Sequence, residues 1–535
     1  MPEYDALVIG GGHNALTSAC YLAQAGLSVA LFERRGVIGG AACTETGIFP
    51  GYRVDVGSAV HIMIHRTPVV RELELEAYGL RYLDLDPMAW QPTPDGGFGL
   101  YRSLDQTVDS IAQVSPRDAM AYRAFIREWQ PFARNLFKAF QKPPTPANLG
   151  ASFVGARPPD LKTVQAVLGA YGPFLRAKFH HPSVRAAFAW LAAQSGPAPS
   201  EIGAGGFLMW HAALHDQGAK RAVGGSGALS EALARRLESL GGQVHLNAPV
   251  ARIEGRQGRA GRVILRDGRV FSGRVIVSGA HVQTTMLDLL DPALLPANIG
   301  LSVREIRVGN GFGMMHRMAT GALPAYDGAP PEAVNAMQLL CPSLEHLEAA
   351  YLDYKRGAPS SKPGVLAMSF SGLDPTIAPP GKHLVYLWSQ YYPFLRSDGR
   401  DWSEPDAVAE EAAKVEEVLY GYSPNLRGQV EARFTQSPLD LQERIGLKNG
   451  NVMHVEMSLD QLFFLRPTPE LSGYRTPIAG LYLTGASMHP GGGVFAASGR
   501  ATAKVVLHDL AGGYTGKAVT GLKRAISGLA GRRSN

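Results

Sequence analysis

Apolar and polar positions along this chain run with two different periods, and the first thirty-odd residues contain both. Ala6–Ile9 is a continuous apolar run with the β-branched bias of a strand buried on both faces. Gly10, Gly11 and Gly12 end it. From Ala15 to Ala25 the apolar residues recur at helical spacing as far as Gly26, and Leu27–Phe32 is a second apolar run closed by Glu33. The pattern predicts strand, glycine turn, helix, strand. It returns later: a helix over Ala228–Leu240 behind Gly224, Gly225 and Gly227, a strand at Val244–Leu246, and a small meander over Ala248–Glu254, Arg262–Arg266 and Val270–Phe271 turned at Asp267-Gly268. A buried strand at Val275–Ser278 follows. Near the end, a strand over Leu481–Thr484 precedes a glycine-rich turn and a helix over Ala496–Leu510. Between these blocks the character changes. Asp118–Phe140 is an amphipathic helix carrying Tyr122, Phe125, Trp129, Phe132 and Phe137. Val365–Phe370 and His383–Gln390 read as strands, Glu404–Tyr420 as a helix.

The opening unit carries a specific chemistry. Its turn reads G-x-G-x-x-A: Gly10 allows the tight turn, Gly12 lets backbone approach a pyrophosphate, and the helix N-terminus offers free N–H groups and a positive dipole end. Ala15 stands at the third glycine position, where only close helix–strand packing is required. Glu33 lies twenty-one residues past Gly12, the place from which an acid reaches ribose hydroxyls. Arg34 follows it, and a second glycine doublet, Gly39-Gly40, lies in the next loop. That doublet behind a ribose acid is typical of flavin adenine dinucleotide (FAD) enzymes. The fold class expected is α/β: a Rossmann-type FAD-binding domain with an inserted mixed α+β substrate domain. Segments 1–80, 223–300 and 471–512 would form the discontinuous FAD domain, and 81–222 with 301–470 the substrate domain. The density of aromatics in the insert suits a large apolar ligand.

Composition narrows this picture. At 535 residues more than one core is expected. The net charge of +6 suits an anionic membrane surface better than nucleic acid, since no basic cluster is interleaved with aromatics. Met1–Asp5 is polar and runs straight into a strand, so no signal peptide is expected, and no apolar run is long enough to span a bilayer. Cys20, Cys43 and Cys341 are isolated, which argues against a dithiol centre or a cysteine zinc site and fits a reducing cytoplasm. His61 sits inside an apolar run. Alternation over Val452–Met457 would place His454 and Glu456 on one strand face, too few groups for a metal site.

Taken together, GGGHNA, the VIGGA doublet, VGGSGAL, VIVSGAH and LYLTGASMHPGGGV resemble the phytoene-desaturase-like flavoproteins over nearly the whole chain. Within that group HNAL, RTPVVRELEL, AAQSGP, VGNGFGM, LWSQYYPF and GNVMHVEMSLDQ look most like the bacterial and cyanobacterial carotene ketolases. The resemblance implies FAD, an apolar substrate tunnel, and introduction of a keto group at ring carbon 4 of β-carotene. Carried over, Gly10, Gly12, Ala15, Glu33 and Arg34 would hold the ADP half of FAD, and Gly39 and Gly40 would line its loop. Val250 would contact adenine through its backbone, Gly485 and Ala486 would face the pyrophosphate or ribityl chain, and Gly491, Gly492, Gly493 and Val494 would pass beside the isoalloxazine. Related flavoproteins often carry an acid after Gly485; here Ser487 or backbone would replace it. His489, His61 and Glu456 are the acid–base candidates for adding water to an oxidised ring. Desaturation or isomerisation of an acyclic polyene, and a non-catalytic flavoprotein or interaction module, stand as alternatives.

The tail from Lys517 places Val519, Leu522, Ile526 and Leu529 at helical spacing among Lys and Arg residues. Such a segment can lie on an anionic membrane, so peripheral attachment at the inner face of the cell membrane is expected. Nothing in the pattern sets an oligomeric state.

Overall fold

The computed structural model describes residues 3–94, 96–154, 161–309 and 313–513. Two seven-stranded sheets organise it. The first opens with β1 (Tyr4–Ile9), α1 (His13–Gln24) and β2 (Val29–Phe32). Parallel to β1 and β2 run β3 (Gln243–His245), the upper half of β4 (Val270–Ser278) and β5 (Leu481–Leu483), in the order β5-β4-β1-β2-β3. Every side chain from Ala6 to Ile9 and from Val29 to Phe32 is buried, as continuous apolar runs require when helices cover both faces. Helices α1, α2 (Gly227–Ser239) and α3 (Ala497–His508) supply that cover.

The meander is more continuous than its sequence suggests. Val270–Phe271 and Val275–Ser278 belong to one strand, β4, whose first half pairs antiparallel with Arg259–Leu265 and whose second half pairs parallel with β1. Gly273 bridges the halves: a Cβ there would meet the Leu7 side chain at 2.7 Å.

The second sheet runs Val430–Gln436, Met314–Thr320, His383–Ser389, Val365–Met368, Met337–Leu340, Ala89–Thr93, Gly96–Leu100. All its pairings are antiparallel except that of Met337–Leu340 with Ala89–Thr93. Leu104–Val114 packs on Gly96–Leu100 and Pro182–Ala193 on Ala89–Thr93; with Pro116–Phe140 packed on Leu104–Val114 they bury Tyr122, Phe125, Trp129, Phe188 and Trp190 in one core. The aromatics of the insert are therefore mainly packing, and Phe125 contacts Trp129 at a centroid distance of 5.0 Å and Phe188 at 5.1 Å.

One element is absent where alternation placed it. Residues Val452–Met457 form turns, with His454 at φ +62°, so His454 and Glu456 do not share a strand face. Gly491 and Gly492 lie against this segment: a Cβ on Gly491 would meet the Met457 side chain, and one on Gly492 would fall 2.8 Å from the Met453 Cα. Among the described residues no helix is long and apolar enough to cross a membrane, and no cluster of three metal-ligating side chains exists. The basic tail lies outside the described residues.

Candidate functional site

A cavity of about 950 Å³ opens between the two sheets at the carboxyl ends of β1, β2 and β4. In parallel α/β sheets this is where the crossover helices leave room for a ligand. Gly10, at φ +92°, turns the chain out of β1. Gly12 caps α1 from an extended conformation and a Cβ on it would meet nothing within 4 Å. The first turn of α1 has no side-chain cap and no acid, so its N–H groups face the cavity unopposed. Across from it, Gly40 approaches so closely that its Cβ would lie 3.4 Å from the Gly12 Cα. Close packing at the third motif position is also visible: Gly279 makes room for the Ala15 methyl, which a Cβ would meet at 2.8 Å.

Glu33 closes β2 with its carboxylate buried at the cavity wall. Oε2 accepts from Gly11 N–H at 2.6 Å and Oε1 from Arg35 N–H at 2.9 Å. The acid thus fixes the glycine turn and keeps lone pairs for a ribose. Arg34 lines the cavity and donates to the Glu443 carbonyl at 2.8 Å. Arg35 pairs with Glu45 through Nη2, while its buried Nη1 finds no acceptor among the described residues. Val250 lines the same end. Gly39, Gly485, Ala486, Gly492, Gly493 and Val494 all border the cavity as well. Gly10, Gly12, Ala15, Glu33, Arg34, Gly39, Gly40 and Val250 are therefore gathered around one end, from segments up to 240 residues apart in sequence. A dinucleotide fits this donor set: backbone N–H groups for phosphates, a carboxylate for hydroxyls and an unpaired guanidinium nitrogen beside them.

Some expectations need correction. The Gly485 N–H is taken by Ser498 Oγ at 3.0 Å. Ser487 does not line the cavity: its hydroxyl accepts from Val282 N–H at 3.0 Å and meets His454 Nδ1 at 3.1 Å. Gly491 lies behind the wall, where its Cβ would touch Met457.

None of the three acid–base candidates lines the cavity. Val60, Ile62 and Met63 face it, but His61 points the other way, bonded to Tyr82 Oη at 2.8 Å and to Ser226 Oγ at 2.7 Å. Burial, with the charges of His65 and Arg221, holds it neutral. His489 is enclosed by Phe140 and Phe463, and burial pushes its pKa down to about 3. Glu456 pairs with Arg307 at 2.9 Å on the wall of a separate cavity of about 420 Å³.

Two histidines to which the motifs give no role, His13 and His281, do line the cavity, and His454 lines it without Glu456. His281 Nε2 bonds the His454 carbonyl at 2.9 Å and the rings stack. Burial pushes His13 and His281 down to about 4 and holds His454 neutral. A histidine directly after each glycine turn, in GGGHNA and VSGAH, was the available signal. Residues Gln442–Lys448 also line the nucleotide end, although they belong to the block assigned to substrate.

The other end of the cavity is different. Leu191, Trp210, Leu214, Leu366 and Trp388 line it with Met63, Met315, Met337, Met368 and Met453. Methionine thioethers adapt to irregular apolar shapes. Among the described residues the lining carboxylates Glu33, Asp288 and Glu443 all belong to the nucleotide end, and the charged group at the apolar end is Arg317.

Fold and site together define a dinucleotide-dependent oxidoreductase with a buried apolar chamber. The sequence profile of the flavin containing amine oxidoreductases matches residues 16–507, and the chain belongs to that family. Its cofactor is FAD. Over 550 aligned residues it is 35% identical to mouse pyridine nucleotide-disulfide oxidoreductase domain-containing protein 2, covering 95% of this chain and 94% of that protein. It is 25% identical to the lycopene-forming phytoene desaturase of Pseudescherichia vulneris over 94% of this chain and 99% of that one. Among solved structures, an oxidoreductase from Methanosarcina mazei superposes with a TM-score of 0.61 at 18% identity, covering 94% of this chain and all of the other. The chain is thus an FAD-dependent oxidoreductase of the amine oxidase and phytoene desaturase type.

Proposed function

We propose that the chain oxidises an apolar isoprenoid hydrocarbon, with β-carotene as substrate and 4-keto products as the form its sequence motifs favour. The observation that carries the apolar part is the lining: methionine, leucine and tryptophan side chains at the end away from the nucleotide, with no carboxylate among the lining residues there. A protonated amine would meet Arg317 in that chamber and no counter-charge, so amines are the poorer match. FAD, when bound, supplies a two-electron hydride acceptor.

The chain's own residues do the rest. The apolar lining holds the substrate and excludes water. Neutral His13, His281 and His454 leave no strong base at the wall, and loss of hydride from an allylic carbon needs none, because the polyene delocalises the positive charge. Water adding to that cation with loss of a proton gives an alcohol, and the ketone needs loss of a second hydride from the same carbon and of the hydroxyl proton, each hydride passing to oxidised FAD; insertion of one oxygen atom from dioxygen is the other route. One cavity of about 950 Å³ is at the upper end for a single ligand. With a dinucleotide in place it admits the end of a long polyene rather than its whole length, which favours oxidation at a terminal ring. The likeness to a phytoene desaturase supports a second reading, desaturation of an acyclic polyene.

A substrate of this kind partitions into lipid, so we also propose reversible attachment to an anionic membrane. Leu161, Leu168, Ile202 and Leu459, all exposed, support it, and the tail beyond Lys517 would add charge.

The test is expression in hosts that accumulate β-carotene, lycopene or phytoene, alongside a panel of primary amines offered to purified FAD-loaded protein. Echinenone or canthaxanthin in the β-carotene host supports ketolation. Consumption of phytoene or lycopene with β-carotene untouched replaces it by desaturation, and turnover of amines alone sinks the apolar reading.

A further inference from the structure

Arg466 is fully buried and has no carboxylate partner among the described residues. Its guanidinium donates instead to six backbone carbonyls: Met453 at 2.6 Å, Ala486 at 2.7 Å, Glu456 at 3.1 Å, and Val455, Gln461 and Met488 at 3.2 Å each. Met453 and Ala486 are residues of the cavity wall. A Cβ on Gly491, the first glycine of the turn that borders the chamber, would lie 3.6 Å from the Arg466 Cζ and 2.9 Å from the Met457 Sδ. So the cation sits directly behind the wall, and the Met457 thioether lies against the same turn.

Nothing near it cancels the charge. The Glu456 carboxylate turns away to Arg307. The titratable side chains that feel Arg466 are His281, His454 and His489, all held neutral. A guanidinium bonded only to carbonyls stays charged in a poorly screened interior.

We propose that Arg466 is an electrostatic positioning residue whose unpaired charge, set behind the chamber wall, favours the reduced and more negative state of FAD. A hydride brings one negative charge into the chamber, and a fixed cation that needs no reorganisation stabilises it. The carbonyl clamp has a second consequence: it holds the Met453 and Ala486 segments at a constant distance from that charge. The inference rests on FAD as cofactor and not on which substrate is oxidised.

The experiment separates charge from clamp, using FAD-loaded full-length protein at pH 8. Met457→Glu places a carboxylate against the same turn that Arg466 backs and removes none of the six carbonyl acceptors; Met457→Gln is its neutral control. The two-electron midpoint potential is read against indicator dyes, and sulfite affinity by flavin absorbance. Met457→Glu is expected to weaken sulfite binding about tenfold and to lower the potential by about 30 mV, the equivalent of a tenfold change in equilibrium constant. Met457→Gln should stay within about threefold of wild type. Arg466→Gln should shift both readouts in the same direction, and Arg466→Lys, which keeps the charge but loses most of the clamp, should shift them less. Unchanged potential in Met457→Glu, an equal shift in Met457→Gln, or loss of FAD from Met457→Glu would each overturn the proposal.

Discussion

Gly12 offers the cleanest separation of cofactor binding from folding. Its φ of −69° and ψ of 154° suit any residue, and a Cβ there meets no protein atom within 4 Å. Gly12→Val therefore introduces no backbone strain. The poorer N-cap residue costs a fraction of about 1 kcal/mol, which the lower entropy of the unfolded chain offsets by about 0.4–1 kcal/mol. The added methyls enter the space in which a pyrophosphate would meet the N-terminus of α1. Displacing two charge-assisted N–H···O bonds at about 1.5–3 kcal/mol each gives about 3–6 kcal/mol, or roughly 10²- to 10⁴-fold in FAD affinity. Gly26→Ala is the reverse control. At φ +87°, also with nothing within 4 Å, it strains the backbone by about 1 kcal/mol and touches no cavity wall. FAD occupancy by absorbance and melting of the apo and FAD-supplemented proteins read both effects. Gly12→Val should melt like wild type when apo and lose the stabilisation that FAD confers, while Gly26→Ala should melt lower and keep it. A Gly12→Val protein as yellow as wild type would refute the placement of the pyrophosphate at this helix.

Glu33→Gln keeps the shape of the buried side chain but weakens its bond to Gly11 N–H, and should reduce FAD affinity about tenfold in a fluorescence titration. Glu456→Gln removes a partly exposed pair with Arg307 outside the chamber; it should change turnover less than about twofold and unfolding free energy, from urea titration, by no more than about 1 kcal/mol. Glu416 is desolvated, yet bonds from His316, Arg433 and Tyr420 hold its pKa down to about 2. Its contribution to stability should be complete above pH 4.5 and disappear as pH falls toward 2, a loss absent from Glu416→Gln in urea titrations. Burial pushes His211 and His489 down to about 3, so the unfolded chain takes up protons first. Apo-protein stability should therefore hold above pH 6.5 and decline steadily below it, as urea midpoints measured from pH 7.5 to 4.5 would show.

The nucleotide end was legible in sequence because local rules create it. A glycine turn, a helix start and a strand-terminal acid are set by backbone sterics within thirty residues, and Gly10, Gly12, Glu33 and Gly40 border one end of the cavity. The chamber was not legible in the same way. Its lining comes from single residues on strands and loops whose alternation shows only that one face is buried, not what that face meets; Met315 and Arg317 line the cavity while His316 between them turns to Glu416. His61 illustrates the same limit. Its apolar neighbours marked a buried stretch, but the direction of its ring depended on Tyr82 and Ser226, the latter 165 residues away. At Val452–Met457, alternation suggested a strand, and tertiary contacts with glycines and Arg466 prevailed over it.

The sheet that carries the cofactor is threaded from both ends of the chain: β1 and β2 come from its first 32 residues, β5 and α3 from its last sixth. On a ribosome, at about 5–20 residues per second, β1 would wait on the order of half a minute to a minute and a half for β5 to emerge. During that time one edge of β4 stays open and the floor of the cofactor chamber is missing. The chamber is therefore complete only once residues 481–508 have been made, and fragments that stop short of them are left with an unpaired strand edge exposed to proteolysis and aggregation.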